Sequence, residues 1–119
     1  MKSENIIVER SLQFAMRVVK LYKYLCDEKK DYVLAKQLLR SGTSVGANVR
    51  EALRGQSRKD FVSKMNIALK EVCETEYWLE LLHQTDYINR TEFDSIYKDC
   101  KEITKILMSI VKTTTDTEE

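Results

Sequence analysis

Apolar residues recur along this chain at intervals of three and four over four long stretches, and short polar clusters separate them. The clearest series is Phe61, Met65, Ala68, Val72, Thr75, Leu79 and Leu82, a heptad seam with one polar break at Thr75. Val62, Leu69, Cys73 and Trp78 widen it. Phe93, Ile96, Cys100, Ile103, Leu107 and Ile110 form a second seam, and Leu34, Leu38, Val45, Val49 and Ala52 a third. The first stretch carries two adjoining stripes: Val8, Leu12, Ala15, Val19, Tyr22 and Cys26, and beside them Ile7, Phe14, Val18, Leu21 and Leu25. One stripe is enough to face a core. The second is either the flank of a broad core face or a surface covered by a partner subunit.

Punctuation residues set the expected boundaries. Ser3 or Asn5 caps a first helix at about 4–27, with Glu4 and Glu9 near its positive end. The polar run Asp27 to Asp31 breaks the period, and Asp31 caps a second helix at about 31–54. Gly55 fits a left-handed cap, and Ser57 with Asp60 has capping-box spacing for a third helix at 58–84. Thr91 and Asp94 repeat that spacing for a fourth at 91–112, which leaves 113–119 as a flexible acidic tail. Turns this short force neighbouring helices to run antiparallel. The expected fold is all-α, an up-down-up-down four-helix bundle over residues 1–112.

Composition agrees with long helices: 119 residues contain no proline, three glycines and 33% charged side chains. No apolar run reaches ~18 residues and the N-terminus lacks the order of a signal peptide, so a cytoplasmic protein without membrane attachment is expected. Cys26, Cys73 and Cys100 are odd in number and widely spaced, which offers neither a disulfide framework nor a CxxC motif. Gly42 and Gly46 stand one turn apart inside the second helix, where each costs about 1 kcal/mol relative to alanine. Close approach of a neighbouring helix offsets that cost; a kink is the other reading.

Catalytic chemistry finds little support. Glu80 and His83 have the ExxH spacing of di-iron bundles, and Glu71, Glu74 and Glu76 add carboxylates, but such a site needs two of these motifs and the chain has one histidine. Cys73 is ten residues from His83, and the GTSVG run lies in a helix without the lysine of a P-loop. No catalytic residue, metal or cofactor is expected. A metal- or ligand-binding bundle is the alternative reading.

Charge is more informative. Residues 1–35 carry a net +2, residues 36–70 a net +6 and residues 71–119 a net −7, hidden inside an overall +1. Arg50, Arg54, Arg58 and Lys59 gather at the junction of the second and third helices and are the candidate phosphate-binding group. A solvated, solubilising helix end is the competing reading. Arg40, Ser44, Asn48, Glu51, Lys64, Glu71 and Glu76 interrupt the apolar pattern, either as a polar network that fixes helix register or as a ligand site. Antiparallel packing would bring Glu51 near Lys64.

The stretches LRSGTSVGANVREA and SRKDFVSKMNIALKEVCETEYWLELL resemble the four-helix-bundle family associated with intervening sequences in bacterial 23S ribosomal RNA genes, to which accessory variability proteins of diversity-generating retroelements are similar. The likeness runs from about Val8 to Ile110 and is most specific in SGTSVGANVREA and KEVCETEYWL. It implies a bundle that assembles with itself as a cyclic homopentamer and has no known catalytic activity. For the retroelement relatives it implies binding to nucleic acid and to a reverse transcriptase through a basic surface. The function expected is therefore that of a homo-oligomeric interaction protein with RNA, DNA or a protein as partner.

Overall fold

The computed structural model describes residues 2–118, apart from the side chains of residues 3 and 116–118. Four helices account for nearly all of it: α1 (Lys2–Asp27), α2 (Val33–Leu53), α3 (Arg58–Gln84) and α4 (Arg90–Glu118). No strand occurs among the described residues. Each helix packs on its neighbours in sequence, and α1 closes the ring against α4. Cross-helix pairs fix the directions: Ser41 meets Thr75 and Glu51 meets Lys64, Glu80 meets Tyr97 and Glu76 meets Lys101, Arg17 meets Asp99 and Arg10 meets Glu102. In every case the order reverses, so the helices run up, down, up and down. The result is 48 Å long and 22 by 19 Å across.

The core follows the seams. Met65, Ala68, Val72, Leu79 and Leu82 of α3 and Ile96, Cys100, Ile103, Leu107 and Ile110 of α4 are buried. The polar break at Thr75 is also fully buried, and its hydroxyl lies 2.9 Å from that of Ser41 on α2. The carbonyls of Glu71 and Leu38 complete the pair, so neither hydroxyl is left unsatisfied in the interior. On α1 the inner stripe is the one with Ile7, Phe14, Val18 and Leu25, all buried. The other stripe lies along the margin: Val8, Tyr22 and Cys26 are half-buried against the core, whereas Leu12 keeps 48% of its surface in solvent.

Gly42 and Gly46 face α1. A Cβ at Gly42 would lie 2.7 Å from both γ-carbons of Val18, and one at Gly46 would lie 3.3 Å from Ser11 Oγ. Side chains there would push α1 outward, and α2 runs unbroken through both positions.

Several ends differ from expectation. α1 already includes Asn5, and the side chain of Ser3 lies outside the described residues. Asp31 accepts the backbone N–H of Leu34 at 2.9 Å, as a cap should, although regular helix begins at Val33. Gly55 is not a left-handed cap, because no glycine among the described residues has positive φ. Instead α2 closes with tightened bonds, Arg54 N–H to Glu51 and Gly55 N–H to Ala52. The left-handed residues are Lys30 (φ 57°) and Asp86 (φ 65°). Asp86 ends α3 in a Schellman turn: Tyr87 N–H bonds the Leu82 carbonyl and Asp86 N–H that of His83. The fourth helix is capped by Asn89, whose side chain accepts from Glu92 N–H at 2.8 Å, and not by Thr91. Its other end passes 112 and continues to Glu118, so the segment expected as a tail is helical through 118. Neither proline nor glycine stands there to stop it, and the Thr114 hydroxyl bonds back to the Ile110 carbonyl.

Candidate functional site

At the junction of α2 and α3 the chain turns in four residues. Ser57 begins α3 by accepting the N–H of Asp60 at 3.1 Å. Arg50 sits in the last turn of α2, Arg54 follows it, and Arg58 and Lys59 occupy the first turn of α3. All four side chains are exposed. None forms an ion pair among the described residues, and in this they differ from every other arginine of the chain. Arg10 reaches Glu102 at 2.5 Å, Arg17 reaches Asp99 at 2.6 Å, Arg40 reaches Glu71 and Glu74, and Arg90 reaches Asp94 at 3.8 Å. Arg58 and Lys59 moreover stand at the positive end of the α3 dipole, where cations are disfavoured and only Asp60 offsets them.

A groove of about 820 Å³ opens beside this turn, lined by Val8, Leu53, Arg50, Arg54, Gln56 and Lys64. The carboxylates of Glu51 and Asp60 also line it. Glu51 is held by Lys64 at 3.2 Å. The site is thus a cationic rim around a groove of mixed charge.

The polar motif residues come together in pieces. Arg40 grips Glu71 and Glu74 across the α2–α3 seam. Glu74 also accepts the Trp78 indole N–H at 3.0 Å; that bond first, and Arg40 with it, holds its carboxyl below the usual range. Ser44 and Asn48 turn back onto α2, bonding the carbonyls of Arg40 and Ser44 at 2.6 and 2.8 Å. Glu76 lies on the opposite flank of α3, where it takes Lys101 at 2.9 Å and the Thr104 hydroxyl at 2.8 Å. These pairs clamp register between helices, and they do not converge on a common cavity. Sequence reasoning overlooked Trp78 as the partner of Glu74, although their i, i+4 spacing in KEVCETEYWL was the signal. It also overlooked Lys101 and Thr104, for which no local signal exists.

His83 does not face Glu80 in a metal site. Its ring stacks on Phe93 with centroids 4.5 Å apart, and Glu80 accepts the Tyr97 hydroxyl at 3.1 Å. No group of three or more His, Cys, Asp or Glu side chains is placed to hold a metal among the described residues. The cysteines are free, and burial pushes the Cys73 and Cys100 thiols up. No helix of the described residues is long and apolar enough to cross a membrane.

With this geometry in view, comparison with known proteins is decisive for kinship. The family model described as 23S rRNA-intervening sequence protein matches residues 3–109. The chain belongs to this family. A crystal structure of a Bacteroides thetaiotaomicron protein of unknown function, from the S23 ribosomal protein family, is 57% identical and superposes with a TM-score of 0.91. The match covers 92% of this chain and 98% of that one. No match was found among the curated proteins. The stretches SGTSVGANVREA and KEVCETEYWL lie within the residues that the family model matches.

Proposed function

We propose that this family member is a non-enzymatic interaction protein of the cytoplasm that assembles with itself, as a pentameric ring, and meets the phosphates of nucleic acid through the α2–α3 end. The observation that carries this reading is the set of unpaired arginines. Four arginines elsewhere are neutralised by carboxylates, while Arg50, Arg54 and Arg58, with Lys59, are left with none among the described residues. Two of the four cations stand against a helix dipole. A phosphate would relieve both conditions. RNA is the polyanion favoured, since the family description refers to 23S rRNA and that of the Bacteroides relative to a ribosomal protein family. Self-assembly has its own support: Ile6, Leu12 and Met16 on α1 remain 38%, 48% and 56% exposed after the bundle closes. In a ring the rim would repeat around the axis, and phosphate affinity would rise by multivalency.

Light scattering coupled to size exclusion, with absorbance at 260 and 280 nm on the same peak, tests the reading. A mass of about five times 14.0 kDa, with nucleic acid carried at low salt and shed at high salt, is the expected result. A monomer would overturn the assembly. An oligomer that binds no RNA at low salt would overturn the phosphate-binding role and direct attention to a protein partner.

A further inference from the structure

A second groove, of about 490 Å³, lies in the seam between α1 and α4, toward the opposite end of the bundle from the basic rim. Its floor is apolar: Ile88 and Ile96 are buried there and Leu21 is half-buried beside them. Its walls carry opposite charge. Lys20 stands on the α1 wall and Glu92 on the α4 wall, both exposed, and their side chains pair neither with each other nor with any other among the described residues. Arg17 is already committed, to the Asp99 carboxylate at 2.6 Å and the Ser95 hydroxyl at 2.9 Å, so it shapes the groove without supplying free charge. Two hydroxyls line the α4 wall. That of Thr91 has no partner among the described residues, and that of Ser95, which accepts from Arg17, keeps its own proton to donate. A purely anionic ligand would bring like charge to Glu92, and a purely cationic one to Lys20. The groove therefore suits a molecule that carries both charges and has apolar surface to cover the floor.

We infer that the α1–α4 groove binds a free α-amino acid with an apolar side chain, its carboxylate toward Lys20 and the Thr91 and Ser95 hydroxyls, its ammonium toward Glu92 and its side chain over Ile88 and Ile96. The site is separate from the basic rim and does not depend on the phosphate-binding reading. Because both charged walls are exposed, each ion pair contributes little, and so small a ligand is held with a dissociation constant of about 1 mM.

Saturation-transfer NMR with leucine, N-acetylleucine, leucinamide and glycine as probes tests this. Leucine is expected to bind saturably near that concentration, and the two blocked forms, each lacking one charge, about threefold more weakly. Glycine leaves the floor uncovered and should not bind. Lys20→Ala should abolish the preference for leucine over leucinamide and keep that over N-acetylleucine, and Glu92→Gln should do the reverse. Both positions are exposed and unpaired, so neither variant disturbs the fold. The inference would be overturned if leucine showed no saturable binding up to about 20 mM, well above the expected constant. Equal binding of leucine and its two blocked forms would also overturn it, as would preferences that neither variant alters.

Discussion

At the end of the bundle that holds the α1–α2 and α3–α4 turns, the two turns are bound to each other. Asp31 caps α2 and also accepts the Tyr87 hydroxyl at 2.7 Å, which ties one turn to the other. Asp86 closes α3 in a left-handed conformation, and His83, Phe93 and Tyr97 stack in sequence beneath it. At the other end, the α2–α3 turn holds four cations without carboxylate partners and a groove open to solvent. One end is tied together by side-chain pairs, and at the other no arginine has a carboxylate partner among the described residues. Stability should therefore respond to substitutions at the first end and binding to substitutions at the second.

The largest expected effect is on binding. R50A/R54A/R58A should lose about 100-fold in RNA affinity at low salt, with a salt slope shallower by about 2 to 3. Its thermal unfolding should hardly move, because the three side chains are exposed and unpaired. Equal RNA affinity in the variant and the parent, measured by anisotropy, would erase the contrast between the ends.

Next in size is the closing turn of α3. Asp86→Val places a β-branched residue at φ 65° and should cost about 2 kcal/mol in urea unfolding. Asp86→Gly should be neutral or stabilising, since glycine adopts that conformation without strain. Similar midpoints for the two variants would show that the turn can relax.

How far the sequence foretold this contrast depends on what kind of interaction each end uses. The helix order and the seams were legible because periodicity depends on burial alone: Val72, Leu79, Ile103 and Leu107 are buried where their spacing put them. The basic cluster was legible as composition. Its lack of partners was not, for whether an arginine is paired depends on residues as distant as Arg10 and Glu102. The same holds for the closed end, where Tyr87 and Asp31 lie 56 positions apart. On α1 the two stripes could not be ranked from sequence, because both have helical spacing and only the packing of α2 against Val18 and Ser11 selects the inner one.

A smaller effect is expected at Asp31. Its carboxyl is held below the ordinary value of 3.8, first by the Tyr87 hydroxyl and then by the Leu34 N–H. The folded protein therefore binds this proton less readily than the unfolded chain. The stabilisation is complete above the ordinary value and is lost as pH falls through the lower folded one. Asp31→Ala should cost about 1 kcal/mol at neutral pH, the usual worth of a helix cap. The gap between variant and parent should close on acidification in pH-dependent unfolding, and a gap that persisted at the lowest pH would assign the loss to packing.

The smallest effect separates the two kinds of turn. Gly55, at the open end, occupies the place where a left-handed glycine cap was expected, yet its φ is not positive. Alanine there meets no backbone strain. Its Cβ would lie 3.1 Å from the Ala52 carbonyl oxygen and 3.2 Å from Asp60 Cβ, tight contacts within an exposed turn that can yield by a few tenths of an ångström. Gly55→Ala should consequently change stability by no more than about 0.5 kcal/mol, the loss of a few close contacts set against reduced freedom of the unfolded chain. A penalty well above about 1 kcal/mol in urea unfolding would mean that the turn samples the left-handed form in solution. The open end would then depend on its glycine as the closed end depends on Asp86, and the difference between the ends would lie in charge alone.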